Sequence, residues 1–313
     1  MLSRAAENLY WTGRYVERAE NIARILEVSR SISLQATEPP LGGGPDEWQS
    51  VLAVLGGPAE LDGGHGRADA DVITRYFTLE DHPGSILSCV RAARENARAL
   101  RSVISTEMWE SINGTWLGMR DLDADALDPS RSREFCEWVR DRSHLFRGVS
   151  YSTTLHNDAF YFLRLGTFLE RAAGTARVLD VKYQVLANAA DAGPASIYYA
   201  WGAVLRQVSA FRAYHQVFRD VIEPARVAEL LTLRPELPRS LRYCADEVCQ
   251  GLDQLAGGRD LEAQRLAGEL RARLRFARMD RILKEGLHEF LSEVTNRIAD
   301  LSNQLNKDFL MTV

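Results

Sequence analysis

The sequence is short of most features that mark a familiar chemistry. No run approaches the roughly eighteen apolar residues that a membrane-spanning helix requires. The opening segment, MLSRAAENLYW, is charged where a secretory leader carries an apolar core. The expectation is a cytoplasmic chain with no membrane partner. A basic surplus is missing too. The formal net charge of −5 argues against nucleic acid as the main partner, because phosphate backbones recruit basic surfaces. Cysteine occurs four times, at Cys89, Cys136, Cys244 and Cys249, without a CxxC pair. Buried free thiols are therefore expected in place of a disulfide or metal framework. Lysine is nearly absent. Of 38 basic residues only Lys182, Lys284 and Lys307 are lysine and 35 are arginine. A compositional bias explains that; so does a use for forked contacts to carboxylate or phosphate, which arginine makes and lysine does not.

Catalytic fingerprints are missing as well. Neither a Walker-type nor a dinucleotide glycine loop occurs, and the glycine clusters lack the preceding strand that a phosphate loop needs. HExxH and GxSxG are absent. A di-iron carboxylate bundle would carry two ExxH motifs. This chain has one, Glu285 to His288, with an Asp141-to-His144 analogue. His156, beside Asn157 and Asp158, and His215, after Tyr214, are candidate general bases, with helix-surface histidines the simpler reading. The chain alone does not look like a complete ATP-using enzyme, and no metal or cofactor of its own is expected.

Against these absences stands a repeat. Gly13 to Val28 reads GRYVERAENIARILEV, and Gly166 to Val181, 153 residues later, reads GTFLERAAGTARVLDV. Eight of the sixteen positions are identical. So long a period is not that of a solenoid. It points to two related halves, each placing a Glu-Arg pair on a long helix. In the first copy Ala5, Leu9, Thr12, Val16, Ala19, Ala23 and Leu26 recur at helical spacing; in the second Phe162, Leu165, Leu169, Ala172, Ala176 and Leu179 do the same. Glu38 to Pro45 ends the first helix, and Gly56 to Gly66 is a second glycine-rich loop, a candidate lid or partner-binding loop or else a plain surface connection. Further helices are predicted over about 85–104, 106–122, 131–149, 156–188, 195–219, 225–233, 239–255, 260–275 and 277–309. Strand-type alternation is nearly absent. The expected fold is all-α, a multi-helix bundle of two halves (about 1–150 and 151–313) with a pseudo-twofold relation, forming one domain over 1–313.

A polar stripe runs about 100° from the apolar one on the first helix: Glu7, Tyr10, Arg14, Glu17, Asn21 and Arg24. Glu17 can reach Arg14 and Asn21 locally, and Glu20 can pair with Arg24 at i,i+4. In the second copy Glu170, Arg171 and Arg177 persist, whereas Thr167, Ala173 and Gly174 replace the local partners. A charge kept at a core border without a local partner needs a distant one. The two repeat helices are therefore expected to pack together, with Glu17 meeting Arg171 or Arg177 and Glu170 meeting Arg18 or Arg24. Such pairs either lock the helices in register or leave arginines free to hold a carboxylate or phosphate. A looser echo at 93–98, ARENAR, places Arg91, Glu95 and Arg98 on one side of a helix and leads into MWESIN at 108–113. That row either lines the same cavity or forms a solvated face. Tyr10, Trp11, Trp48 and Trp109 are candidate interface anchors, at least half of them expected in the core.

These strings resemble the alpha-E family, a bacterial all-helical family named for its E-R motif. The resemblance rests on MLSRAAENLYWTGRYVERAENIAR, ARENAR with MWESIN, LGTFLERAAGTARVLDVKY and PRSL at 238–241, and spans essentially the whole chain. It implies Glu17, Arg18, Glu170 and Arg171 as motif residues, with Glu95, Asn96 and Arg98 in a central motif. It also implies an association with a circularly permuted ATP-grasp protein, with a transglutaminase-like protein nearby, and hence a role in ATP-dependent amide or peptide-bond formation. ATP would then be used by the partner ligase. Two functions follow as expectations. One is a binding module that holds the ligase's carboxylate- or phosphate-bearing substrate. The other is a catalytic domain using Glu17 or Glu170 as base, which flanking arginines oppose by lowering the carboxyl pKa. A structural scaffold is the third.

Overall fold

A computed structural model describes residues 3–35, 47–62, 69–122, 131–187 and 194–310. Among them are fourteen α-helices and no strand. They are α1 (Ser3–Gln35), α2 (Glu47–Leu55), α3 (Ala70–Leu79), α4 (Ile86–Ala99), α5 (Thr106–Arg120), α6 (Arg131–Thr153), α7 (Asp158–Ala187), α8 (Pro194–Gln207), α9 (Phe211–Phe218), α10 (Pro224–Leu233), α11 (Leu241–Ala256), α12 (Glu262–Phe276), α13 (Met279–Glu285) and α14 (Leu287–Leu305). The all-α expectation holds. Helix starts follow from local chemistry. Ser85, Ser105 and Ser240 cap α4, α5 and α11 by accepting from the backbone N–H groups of Ser88, Met108 and Tyr243. Pro224 opens α10, where its missing N–H costs nothing.

The two repeat segments lie on α1 and α7, the two longest helices, and these pack on each other more extensively than any other pair. Their closest approach is at glycine. A Cβ on Gly13 would stand 2.1 Å from the carbonyl oxygen of Leu163, and one on Gly166 would stand 1.9 Å from that of Tyr10. Only glycine lets the two backbones approach so closely. The contact is reciprocal: 13 against 163 and 167, 166 against 10 and 14. Around this crossing α1 also packs on α4 and α6, and α7 on α11 and α14. Because both rods are surrounded, they bury more than one face. Leu9, Ile22, Ala23 and Leu26 of α1 and Leu165, Leu169, Ala176 and Leu179 of α7 are all buried. Each leucine contributes roughly 2 kcal/mol.

The helical pattern breaks where the sequence reading ran on. The expected helix over 195–219 is two, α8 and α9, separated at Ser209, whose φ of 56° leaves the right-handed helix. The expected helix over 277–309 is likewise two, with Gly286 at φ 115° between α13 and α14. Helices α2 and α3 were not anticipated. Glu47 ties α2 to both rods, accepting from Ser29 Oγ at 2.7 Å and Lys182 Nζ at 2.5 Å. The Glu38–Pro45 break lies outside the described residues. So does the end of the second glycine-rich loop, whose described start carries a short 3₁₀ turn at Ala59–Asp62. All four cysteines are free and buried, as expected. Of the four aromatic anchors, Tyr10 and Trp48 are core residues, while Trp11 and Trp109 are half-buried.

Candidate functional site: a charged junction between the repeat helices

Adjacent residues on a helix point about 100° apart, so Glu17 and Arg18, like Glu170 and Arg171, do not face each other along their own helix. The structure satisfies both dipeptides by exchange. Arg171 forks onto Glu17, with Nε 2.9 Å from Oε1 and Nη2 2.8 Å from Oε2. Arg18 forks onto Glu170, with Nε 2.7 Å from Oε1 and Nη2 3.1 Å from Oε2. Each glutamate takes the other copy's arginine, so of the distant partners considered, Arg171 and Arg18 are the ones used. Arg24 stays on its own helix, Nε donating to Glu20 Oε1 at 2.8 Å. Arg177 reaches instead toward the carbonyl of Val54 on α2, 3.4 Å away. Arg14 crosses to Glu170 Oε2 at 2.8 Å, so it is not a partner of Glu17.

Three further groups complete the junction, and sequence reasoning missed all of them. Arg239, just before the α11 cap, places Nη1 3.0 Å from Glu17 Oε1 and 2.9 Å from Asn21 Oδ1, and Nη2 2.7 Å from Glu20 Oε1. Its backbone carbonyl accepts from Thr175 Oγ1 of α7 at 3.0 Å, which fixes the turn. Arg147 of α6 donates to Glu17 Oε2 at 3.1 Å and pairs with Glu20 Oε2 off the hydrogen-bond direction. His144, one turn earlier, lies with Nε2 3.0 Å from Arg24 Nη2 and 3.4 Å from Glu20 Oε1. The spacing of Arg140, His144 and Arg147 on α6, facing Glu27, Glu20 and Glu17 on α1, was the available signal. Arg239 sits in the PRSL string, but nothing local connects it to α1. Asn21 also has room for a reason: a Cβ on Gly174 would stand 2.8 Å from its Nδ2, so the glycine in the second copy makes way for the asparagine of the first.

The electrostatics are set by burial against charge. Glu17 and Glu20 have no exposed side-chain surface. Burial alone would raise the Glu17 carboxyl, but Arg171 and Arg239 outweigh it and hold it down at about 2. Burial likewise opposes, and Arg239, His144, Arg147 and Arg24 reverse, the shift at Glu20, which also lies well below its usual range. Glu170 is lowered against its own burial by Arg18 and Arg14. Carboxylates so held stay ionised at neutral pH and make poor general bases. Burial pushes the thiols of Cys89 and Cys244, each near one Glu-Arg pair, up to about 12, so neither is a ready nucleophile.

The central motif is not brought to this junction. The side of α4 that meets α1 and α5 carries Ala93 and Ala97, packed with Val16, Met108 and Ile112. Glu95 and Arg98 therefore face solvent, where they pair at 3.6 Å, and Asn96 is half-buried. Arg94 also pairs with Glu95, donates from Nε to Asn113 Oδ1 at 3.0 Å and lies over the Trp109 ring. At Glu17 the charged groups close on one another rather than lining an open space. A separate gap is apolar, bounded by Leu169, Leu241, Val248, Leu274, Val294 and Leu301. His156 stacks on Phe160, and His288 pairs with Asp180 Oδ1 at 2.7 Å. Among the described residues no group of three or more His, Cys, Asp or Glu side chains could hold a metal ion, and no helix is long and apolar enough to cross a membrane.

A helical chain with Glu-Arg dipeptides at Glu17–Arg18 and Glu170–Arg171 fits a family described by such a motif. Residues 1–310 match the alpha-E family, described as "a predicted alpha-helical domain with a conserved ER motif". The chain belongs to the alpha-E family. It is similar to the uncharacterized proteins Rv2567 of Mycobacterium tuberculosis and Mb2597 of Mycobacterium bovis, each 23% identical over 317 residues. The match covers 93% of this chain and 34% of each relative, so the chain spans about a third of the length of these curated relatives. No solved structure matches it.

Proposed function

We propose that this chain is an accessory binding module for an ATP-grasp amide or peptide ligase, and that it holds a carboxylate- or phosphate-bearing substrate at the solvent-reached margin of the arginine-rich junction around α1 and α7. The observation that carries the reading is a charge imbalance. Glu17, Glu20 and Glu170 are met by six guanidiniums: Arg14, Arg18, Arg24, Arg147, Arg171 and Arg239. Three carboxylates suffice to anchor three arginines; the surplus of cations in a protein of net charge −5 favours an added anion. The depressed carboxyls favour binding over base catalysis. The ligase partner comes from the family resemblance, and relatives nearly three times as long are compatible with a module that works beside other domains.

We also infer that the two halves are related by a pseudo-twofold. α4, α5 and α6 follow α1 at nearly the spacing with which α11, α12 and α14 follow α7. Cys89 stands four residues after the Ser85 cap, as Cys244 does after Ser240.

The test uses the purified chain with ATP and amino acids, alone and with the circularly permuted ATP-grasp protein, following ADP or AMP and product mass. The expected result is no nucleotide consumption by the chain alone and product formation only with the ligase. Turnover by the isolated chain would contradict the accessory role.

A further inference from the structure

This inference rests on the anion-binding reading and adds where the anion sits and what charge it carries. The surplus of cations is not evenly spread. Glu170 meets two guanidiniums, Arg14 and Arg18. Glu17 and Glu20 together meet four, Arg24, Arg147, Arg171 and Arg239, so that end carries two uncompensated positive charges before His144 is counted. Arg171 and Arg239 are enclosed by α7, α11 and α1. The α1–α6 edge is not: the Arg147 side chain is 24% exposed and His144 is 49% exposed. The remaining charged pair along this groove, Arg140 with Glu27 at 2.8 Å, is balanced.

The groups on that edge are short of acceptors. Arg24 spends Nη2 on the imidazole of His144. No hydrogen bond donated by Arg24 Nη1 or Arg147 Nε is present among the described residues. Burial, joined by the nearby charges of Arg239 and Arg140, outweighs Glu20 and lowers the pKa of Arg24, whereas Arg14 and Arg18 at the other end are raised. An arginine made less basic by its surroundings is one whose charge is under-compensated.

We propose that the lip formed by Arg24, His144 and Arg147 between α1 and α6 binds a phosphate dianion, free or as the monoester end of a substrate. Two surplus charges match a dianion, and a monocarboxylate would leave one unmet. A tetrahedral oxyanion accepts from several directions, as two guanidiniums and an imidazole on neighbouring helices supply. On binding, the anion replaces His144 as acceptor for Arg24, and the ring donates through Nε2 once it takes the Nε2–H tautomer or a second proton from solvent.

The experiment titrates the full chain at constant ionic strength with inorganic phosphate, methyl phosphate or acetate, by calorimetry and by thermal unfolding. Phosphate also stabilises folded proteins by surface exclusion, so a saturable heat is the criterion. The expected result is saturable binding of phosphate and no binding of acetate. Methyl phosphate binding equally well identifies an esterified phosphoryl group as the recognised unit, and inorganic phosphate alone identifies the free ion; either supports the site. His144→Gln, which leaves the buried pairs in place, should weaken binding about tenfold without lowering the melting temperature much, while the exposed Arg133→Gln on the same helix should not. Absence of saturable phosphate binding, or its loss in Arg18→Gln but not in His144→Gln, would overturn the assignment. Acetate binding without phosphate binding sinks this inference and leaves the broader reading standing, whereas the ligase assay alone decides the latter.

Discussion

Glu17 and Glu170 hold equivalent places in the repeat and unequal surroundings. Glu17 is sealed among Arg171, Arg239 and Arg147, while Glu170 keeps a slightly open side chain against Arg14 and Arg18. Glu17→Gln strands three guanidiniums around a neutral amide. Breaking a buried pair of this kind costs about 3–5 kcal/mol, to be read from urea unfolding, and Glu170→Gln should cost less because water can still reach Arg18. The same residue sets an acid limit. An unfolded glutamate titrates near 4.3, and folded Glu17 is held at about 2. Between those values the unfolded chain binds more protons, so the stabilisation is complete above about pH 5 and is lost as pH falls toward 2. Melting temperatures measured across that window should fall steeply for the wild type and less steeply for Glu17→Gln. An unchanged slope would mean that Glu17 is not held in its ionised form.

At the scale of the helix, glycine decides how closely α1 and α7 approach. Alanine is the better helix former by about 1 kcal/mol, so Gly13→Ala and Gly166→Ala would stabilise isolated helices. Here the added methyl meets a backbone carbonyl at about 2 Å. The rods must separate, which also pulls the swapped pairs apart. Each substitution is expected to destabilise by about 1–3 kcal/mol in denaturant unfolding; a neutral or stabilising result would contradict the close crossing. This is also the scale at which the sequence was most and least legible. The α1 and α7 stripes, their pairing and a cross-helix partner for Glu17, Arg171 or Arg177, follow from periodicity and from the loss of local partners in the second copy. The breaks at Ser209 and Gly286 do not, because apolar spacing runs across both. Arg239 was hidden for a different reason: it lies 219 residues from Glu20 and reaches it only through the turn that Thr175 secures. The central motif carried the opposite lesson. Its charges share a face, but the alanines of α4 turn inward to α1 and α5, and Glu95 and Arg98 are left to water.

For the whole molecule, the consequence is a charged seam at the centre of a helical bundle. Two rods are held in register by groups that neither could satisfy alone, and helices α6 and α11 each add an arginine to the seam. Stability and the proposed anion binding would draw on the same arginines, so a substitution that frees a carboxylate would also change the charge offered to such a ligand. A double-mutant cycle on Glu17→Gln and Arg171→Met in urea unfolding tests the central claim most directly, since it isolates the contact across the crossing. The account predicts a coupling of about 1.5–3 kcal/mol between the two substitutions. Losses that simply add, to within about 0.5 kcal/mol, would contradict it.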